Sequence, residues 1–531
     1  MRQSDVGRHS GHEDIHSNIF AKRSDFDQYS ATTKVEGIVA VLKPKSKVVL
    51  MAGLAVVIAA YTLELATAEG YNTYALSEFG QLPMASLLDA ADSVLTAILK
   101  LPTAKLEHRY WGMSSPFASR TTSNLKYLTI EQALEDITYF AKNIELPFLT
   151  DVRFRTKTLQ PHVTPWLLVV GGYAGVLAVW TSQKAPTLFW AYLASSPAMI
   201  ASEAFSQFNE AAIEYGPKNC SRDVMLVIEH IDAILEHGWI HHFKGIPNCD
   251  LRLIGNRSEI HDLKSVFGLE RLQDDDFAFV LHIGHLQWAE ASISREFAYF
   301  GFCDYIEGVF GPEGRHIPDA FGEGLQRAIN GYALYIQVLR SHCAGANYTE
   351  YQVLGNDVLC WDTYEFLNPK FTDISINDGA IRRQWKWLTC NEPYATWPAP
   401  PPPGQPSLMS RFVTPGRYAR ECRLTFPAGE GESFGLKDGT AFKYFNDKYD
   451  ERSISPNSKR VIYSNGRMDP YFPLSVSSPT RPGGPSNGPP ASDVHVLVHP
   501  EGAKDDLFMS SGRGHLEMGA VQDTELELLT Q

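Results

Sequence analysis

Trp166-Leu-Leu-Val-Val-Gly-Gly-Tyr-Ala-Gly-Val-Leu-Ala-Val-Trp180 changes character twice within one short run. Trp166–Val170 is continuously apolar, which reads as a strand buried on both faces. Gly171, Gly172 and Gly175 then make a tight turn, and the apolar residues from Val176 to Trp180 open a helix. A strand, a sharp turn and a helix in that order lift a nucleophilic side chain onto a strained bend. Here the apex is Gly172. Glycine takes positive φ at no steric cost, so the bend is available while its apex carries no reactive atom.

The flanking sequence sets the layers. Thr129-Ile-Glu-Gln132 makes a capping box, and Ile130, Leu134, Ile137 and Ala141 follow at helical spacing. Helix and strand alternating in this way imply a parallel sheet covered on both faces. From about Ser202 to Thr425 the pattern turns helical: Val224–Ile228 with Ile231, Ile234 and Leu235 forms one amphipathic helix, and Leu325–Val338 another. Pro398–Pro406 is a stiff polyproline loop. Val461–Tyr463 and Val494–Val498 return to strand character, with Pro479–Pro490 a surface loop between them.

Several long segments resemble the serine exopeptidase family of lysosomal Pro-X carboxypeptidase and dipeptidyl peptidase II, and most closely its fungal secreted members. They are Leu106–Phe117, Tyr127–Phe140, the bend itself, Leu188–Ala198, Cys220–Leu235, Arg383–Pro393 and Tyr463–Tyr471. The likeness runs from about Leu106 to the C-terminus. It implies an α/β fold: an α/β-hydrolase core with a parallel-rich sheet and an inserted, mostly helical lid domain. The expected division is a disordered polar N-terminus (1–47), a signal peptide or signal anchor (48–68), the first part of the core (69–201), the helical lid (202–425) and the second part of the core (426–531).

The resemblance also assigns site positions. The family's elbow reads G-G-S-Y-x-G, and Val170-Gly-Gly-Tyr-Ala-Gly175 puts Gly172 where the nucleophilic serine stands. Asn465-Gly-Arg-Met-Asp-Pro470 matches the acid motif and nominates Asp469. Lys504, in the segment after His499, falls where the family has its histidine base. Tyr173, Glu107, Tyr110 and Glu392 correspond to oxyanion or substrate positions, although Glu107–Tyr110 also suits a brace around the bend. Acyl transfer needs a hydroxyl, a base within hydrogen-bond reach and an acid orienting the base. Ser182 lies nearly three turns down the helix, Ser195 and Ser196 read as strand-end hydroxyls, and His495 and His499 precede the base position. An unburied lysine is protonated at neutral pH.

Composition narrows the classes. The 531 residues carry a formal charge of −14, with 44% hydrophobic and 20% charged residues, an ordinary globular balance. No basic stripe points to nucleic acid. The seven cysteines form no C-x-x-C pair, which argues against zinc and redox motifs and, in an exported chain, allows three disulfides and one thiol. Sequons at Asn219, Asn256 and Asn347 add modest weight to export and glycosylation. Lys43, Lys45 and Lys47 precede the uncharged run Val48–Leu63, and Ala66-Thr67-Ala68 fits a cleavage site. A signal peptide, a type II signal anchor and a buried helix are the three readings of that run. Between Glu69 and Lys105 the family's early strands and its G-G-E-type loop are not legible.

His237 and His241 have metal-ligand spacing, but Gly238 disfavours a helix there and no third ligand is placed, so no metal is assigned. Asp274–Asp276 reads as a helix-start cluster rather than a calcium site. No cofactor motif occurs. The expectation is a secreted, vacuolar or lysosomal exopeptidase homologue acting on peptides, with proline near the cleaved end, whose catalysis is impaired. The membrane is a partner only if 48–63 stays as an anchor. The alternatives are an active peptidase with a mis-assembled gene at the bend and base, and a non-catalytic peptide- or partner-binding glycoprotein.

Overall fold

A computed structural model describes residues 56–60, 103–111, 114–143, 160–243, 253–290, 298–309, 316, 318–345, 357–376, 382–392, 396–427, 440–449, 454, 458–481, 484–486, 493–504 and 516–530. The N-terminal polar segment, most of 48–68, the stretch 69–102 and Asn347 lie outside them.

Six strands form one parallel sheet: β1 (Val56–Ala60), β2 (Thr103–Leu106), β3 (Trp166–Gly171), β4 (Ala191–Ser195), β5 (Val461–Gly466) and β6 (Val494–His499), in the order β2-β1-β3-β4-β5-β6. The main helices are α1 (Ile130–Asn143), α2 (Gly172–Lys184), α3 (Lys218–Phe243), α4 (Leu253–Val266), α5 (Asp274–Leu286), α6 (Ala298–Ile306), α7 (Leu325–Gly345), α8 (Arg382–Asn391), α9 (Pro415–Thr425), α10 (Thr440–Tyr449) and α11 (Leu516–Thr530). Alternate residues of the central strands serve different layers, as a period of two requires. Leu168, Val170, Tyr192, Ala194 and Tyr463 enter the large core beneath α1 and α2. Leu167, Val169, Leu193 and Ile462 face the other way and meet Leu529 of α11. Both faces are therefore dry, which is why β3 and β5 are buried along their whole length.

The helix anticipated after Thr129 forms with the anticipated cap: Thr129 Oγ1 accepts the Gln132 N–H at 3.2 Å. Its stripe, Ile130, Ala133, Leu134, Ile137 and Ala141, is buried.

One local expectation is corrected, and one run of several readings holds a strand. The run read as a signal peptide, an anchor or a buried helix contains β1, which pairs in parallel with β2 on one side and β3 on the other. Val56-Val-Ile-Ala-Ala60 is rich in β-branched residues, so it suits a buried strand as well as a leader segment. With β2 it supplies the early strands that the sequence hid. Gly238 does not break α3, which runs on to Phe243. A single interior glycine costs only about 1 kcal/mol, and α3 packs against α4 and α7.

The region between β4 and β5 is helical and cross-tied. Disulfides join Cys220 to Cys303, Cys343 to Cys360 and Cys390 to Cys422, leaving Cys249 as the seventh cysteine. Asp274–Asp276 is a web of ion pairs. Asp274 meets Lys264 at 2.6 Å, Asp275 meets Arg420 at 2.5 Å, and the fully buried Asp276 meets Arg417 at 3.0 Å. Arg417 also reaches Glu421 and lies over the Phe279 ring, 3.4 Å from its centre.

Candidate active site

The site is the C-terminal edge of the sheet, where β3, β5 and β6 end together. At the first of these ends Gly172 has φ of 55°, the left-handed conformation a sharp strand-to-helix turn requires. Gly175 fixes how closely the helix starts to the next strand: a Cβ there would stand 2.9 Å from the Ser195 carbonyl oxygen. The register pairs Gly171 with Ser195. The opening N–H groups of α2 have no carbonyl four residues earlier within the helix, the general arrangement by which helix starts meet anions. The apex itself presents only hydrogen.

The segment after β2 wraps this turn. Glu107 accepts from the Ser114 N–H at 3.1 Å and its hydroxyl at 2.6 Å, closing its own loop. Arg109 forks onto Asp136 of α1 at 2.6 and 2.7 Å and donates to the Tyr127 carbonyl at 2.7 Å. Tyr110 has φ of 68°, its phenol donates to the Asn124 carbonyl at 2.5 Å, and its own carbonyl accepts from Gln384 at 2.9 Å. His108 Nδ1 donates to the Arg109 carbonyl at 2.9 Å, leaving Nε2 to accept from the Tyr173 hydroxyl at 3.4 Å. Burial drops the His108 pKa to about 4, so the ring is neutral near pH 7. Tyr173 in turn stands edge-on to Trp385 of α8. Leu106, Glu107, His108, Arg109, Asp136 and Tyr173 line a small concavity at this junction, with α1 and α2 as its walls.

Glu392 lies elsewhere than at an open substrate loop. Its carboxylate accepts the Ile130 N–H at 3.2 Å, at the N-terminus of α1, where an acidic group meets the helix's positive end. Burial raises its pKa. Sequence reasoning missed this role because the two residues are 262 positions apart.

The ends of β5 and β6 are laced together. Gly466 pairs with His499, and a Cβ on Gly466 would stand 2.1 Å from the Gly502 carbonyl oxygen. Arg467 N–H donates to the His499 carbonyl and Met468 N–H to the Gly502 carbonyl, both at 2.9 Å. Asp469 is buried within this lacing, and its Oδ1 accepts the Tyr471 N–H at 2.9 Å. His499, also buried, takes the Glu501 N–H on Nδ1 at 3.0 Å, which leaves its proton on Nε2. Lys504 follows as a half-buried residue. From the helical region, Trp288 Nε1 donates to the Met468 carbonyl at 2.9 Å, a tie across 180 residues with no local sequence signal.

Three further hydroxyls lie in α2 and at the end of β4. Ser182 Oγ donates to the Val179 carbonyl at 2.7 Å, inside α2. Ser195 ends β4, and Ser196, at φ of 46°, donates its N–H to the Ser464 carbonyl. Of the sequons, Asn219 lies in the first turn of α3 and donates to Glu307 at 2.9 Å, and Asn256 lies in α4. Among the described residues no cluster of His, Cys, Asp and Glu has the makings of a metal site, and no helix is long and apolar enough to cross a membrane.

The family profile described as serine carboxypeptidase S28 matches residues 97–238, which include the Arg109 brace and the bend at Gly172. The serine protease vicPb of Bipolaris victoriae (strain FI3) is 30% identical over 80% of this chain and 75% of its own length. A probable extracellular serine carboxypeptidase of Arthroderma benhamiae is 25% identical over 74% of this chain, which spans about half (52%) of that relative's length. Thymus-specific serine protease of Homo sapiens is 22% identical over 75% of this chain and 69% of its own. On the vicPb match, which covers most of both chains, together with the profile, the chain belongs to the serine carboxypeptidase S28 family.

Proposed function

We propose that this chain is a serine exopeptidase homologue whose own acyl-transfer chemistry is disabled, and that it acts by holding peptides or a partner protein at the strand ends beside the bend. One observation carries the reading: the residue at the apex of the bend is Gly172, with φ of 55° and no hydroxyl to attack a carbonyl. Lys504 at the base position removes the proton acceptor as well. Losing members of such a unit together costs little more than losing one, since what remains comes from binding and oxyanion stabilisation. Asp469, buried beside the β6 end, then serves the loop rather than an imidazole at position 504. Tyr173 N–H and the helix start beside it are the groups that suit a bound carbonyl or carboxylate. Glu107, Tyr110 and Glu392 support the site through the braces described above.

Peptides are the substrate class that the family implies; proline near the bound end is our extension of it. Three disulfides favour an oxidising compartment, so we place the protein in the secretory pathway, secreted or in a vacuole or lysosome. The test is direct. Purified protein is treated with a fluorophosphonate probe and assayed with proline-containing peptides at acidic and neutral pH. We expect no labelling and no turnover, together with measurable binding of uncleaved peptide. Stoichiometric labelling refutes the impaired reading and restores an active peptidase.

A further inference from the structure

The C-terminal helix carries an acid into a dry layer. In α11 the residues Met518, Gln522, Glu525 and Leu529 are all buried, and their spacing of four, three and four places them on one inward stripe. Met518 and Leu529 suit a core-facing stripe, Gln522 is a neutral amide, and Glu525 alone brings an ionisable group into it. Its carboxyl accepts from the Ser464 hydroxyl in the middle of the sheet. Ser464 pairs in register with Ser195, whose hydroxyl oxygen is also buried. Leu167, Val169, Leu193 and Ile462 with Leu529 make up the apolar surroundings. The other titratable groups on the elements in contact are Glu517, Asp523 and Glu527 of α11 itself, His495 and His499 of β6, and Tyr192 and Tyr463, whose side chains enter the opposite core. Among the described residues no cation forms an ion pair with Glu525, and only burial and the Ser464 hydroxyl bear on its titration.

We propose that Glu525 is a proton-controlled latch: with its proton on, α11 closes the second face of the sheet, and as the medium becomes less acidic the helix releases more readily. An ionised carboxylate in such a layer has one hydroxyl for company and no counter-charge, so the docked state holds the neutral acid. Burial pushes the docked carboxyl up to about 8, whereas an undocked glutamate titrates near ~4.3. The sign follows. Docking is strongest below the undocked value and weakens as pH climbs toward the docked value, where the change levels off. Because α11 packs on β4 and β6, release loosens the strands that end at Ser195–Ser196 and at His499–Lys504. The inference does not depend on whether the elbow is catalytic.

Residue-resolved hydrogen exchange on the full-length protein at pH 5.5, 6.5 and 7.5 tests it, with each amide corrected for its intrinsic rate. In the wild type the opening equilibrium of the α11 amides should rise about tenfold per pH unit across this range, while α1 amides stay level. In Glu525→Gln, which keeps the neutral shape, the α11 values should be flat. A flat wild type, or the same rise in Glu525→Gln, overturns the proposal. Should Glu525→Gln not fold, the carboxyl carbon of Glu525 in the wild type is titrated by NMR: a midpoint near 8 supports the latch, and one in the ordinary carboxylate range overturns it.

Discussion

The strand ends and the helical region above them solve opposite problems. At the strand ends the backbone is held to narrow tolerances, and the apex of the bend carries no side chain. Gly172, Gly175 and Gly466 sit where a side chain would be strained or would collide with neighbouring backbone. The helical region does the reverse. Its interior instead holds one paired group of charges, with Asp276, Arg417 and Glu421 buried as one unit and tied to Thr363. The difference teaches that a hydrolase bend is a packing solution in its own right. It is kept by the approach of Gly175 to Ser195 and of Gly466 to Gly502, whether or not a hydroxyl stands on it.

That contrast can be broken first where it is strongest. Arg417→Ala leaves Asp276 charged and buried without its main partner, so we expect a loss of about 3–5 kcal/mol, read as a lower urea midpoint. An effect no larger than that of a surface arginine would mean that the interior unit carries little of the fold.

The next effect is at the bend. Gly172→Ser puts a side chain at φ of 55°, and we expect a cost of roughly 1–2 kcal/mol and still no reaction with a fluorophosphonate, because position 504 holds lysine. Adding Lys504→His to that variant should bring labelling back. Labelling by the single variant would show that another group, with His499 the nearest by sequence, serves as base.

The smallest expected effect is one of pH on the helical region. Glu307 is buried with Asn219 donating to it, and burial together with the Asp223 and Glu323 charges raises its carboxyl to about 7. Its folded value exceeds the unfolded one, so its contribution is complete in acid and is lost as pH rises through about 7. His282 is opposite: burial lowers it to about 3, so stability falls as pH drops from about 6.5 toward that value. The wild type should therefore be most resistant to thermal unfolding in mildly acidic solution. Glu307→Gln should flatten the neutral side of the profile and His282→Phe the acid side; unchanged profiles would remove both groups from the account.

Much of this was legible beforehand because it rests on local periodicity. The continuous apolar run of β3, the glycine turn and the Thr129 cap each encode their structure within a few residues, and each formed as read. The parallel sheet followed from strand and helix alternating. Where the reading went astray, two local meanings were available for one string. Val56–Ala60 is apolar enough for a leader and β-branched enough for a strand, and only the neighbours β2 and β3 select the strand. Gly238 weakens a helix locally, and packing against α4 and α7 overrides it.

By itself, then, the chain determined the central strands, the first core helix, the layer order and the glycine apex at Gly172, because hydrophobic period and residue type are written in adjacent positions. Tertiary structure alone decided that Glu392 caps α1, that His108 takes the Tyr173 hydroxyl, that Trp288 holds the Asp469 loop and that Glu525 lies beneath Ser464. Each of those contacts joins residues tens to hundreds of positions apart, and such partners are chosen by how whole layers pack, which no local pattern records.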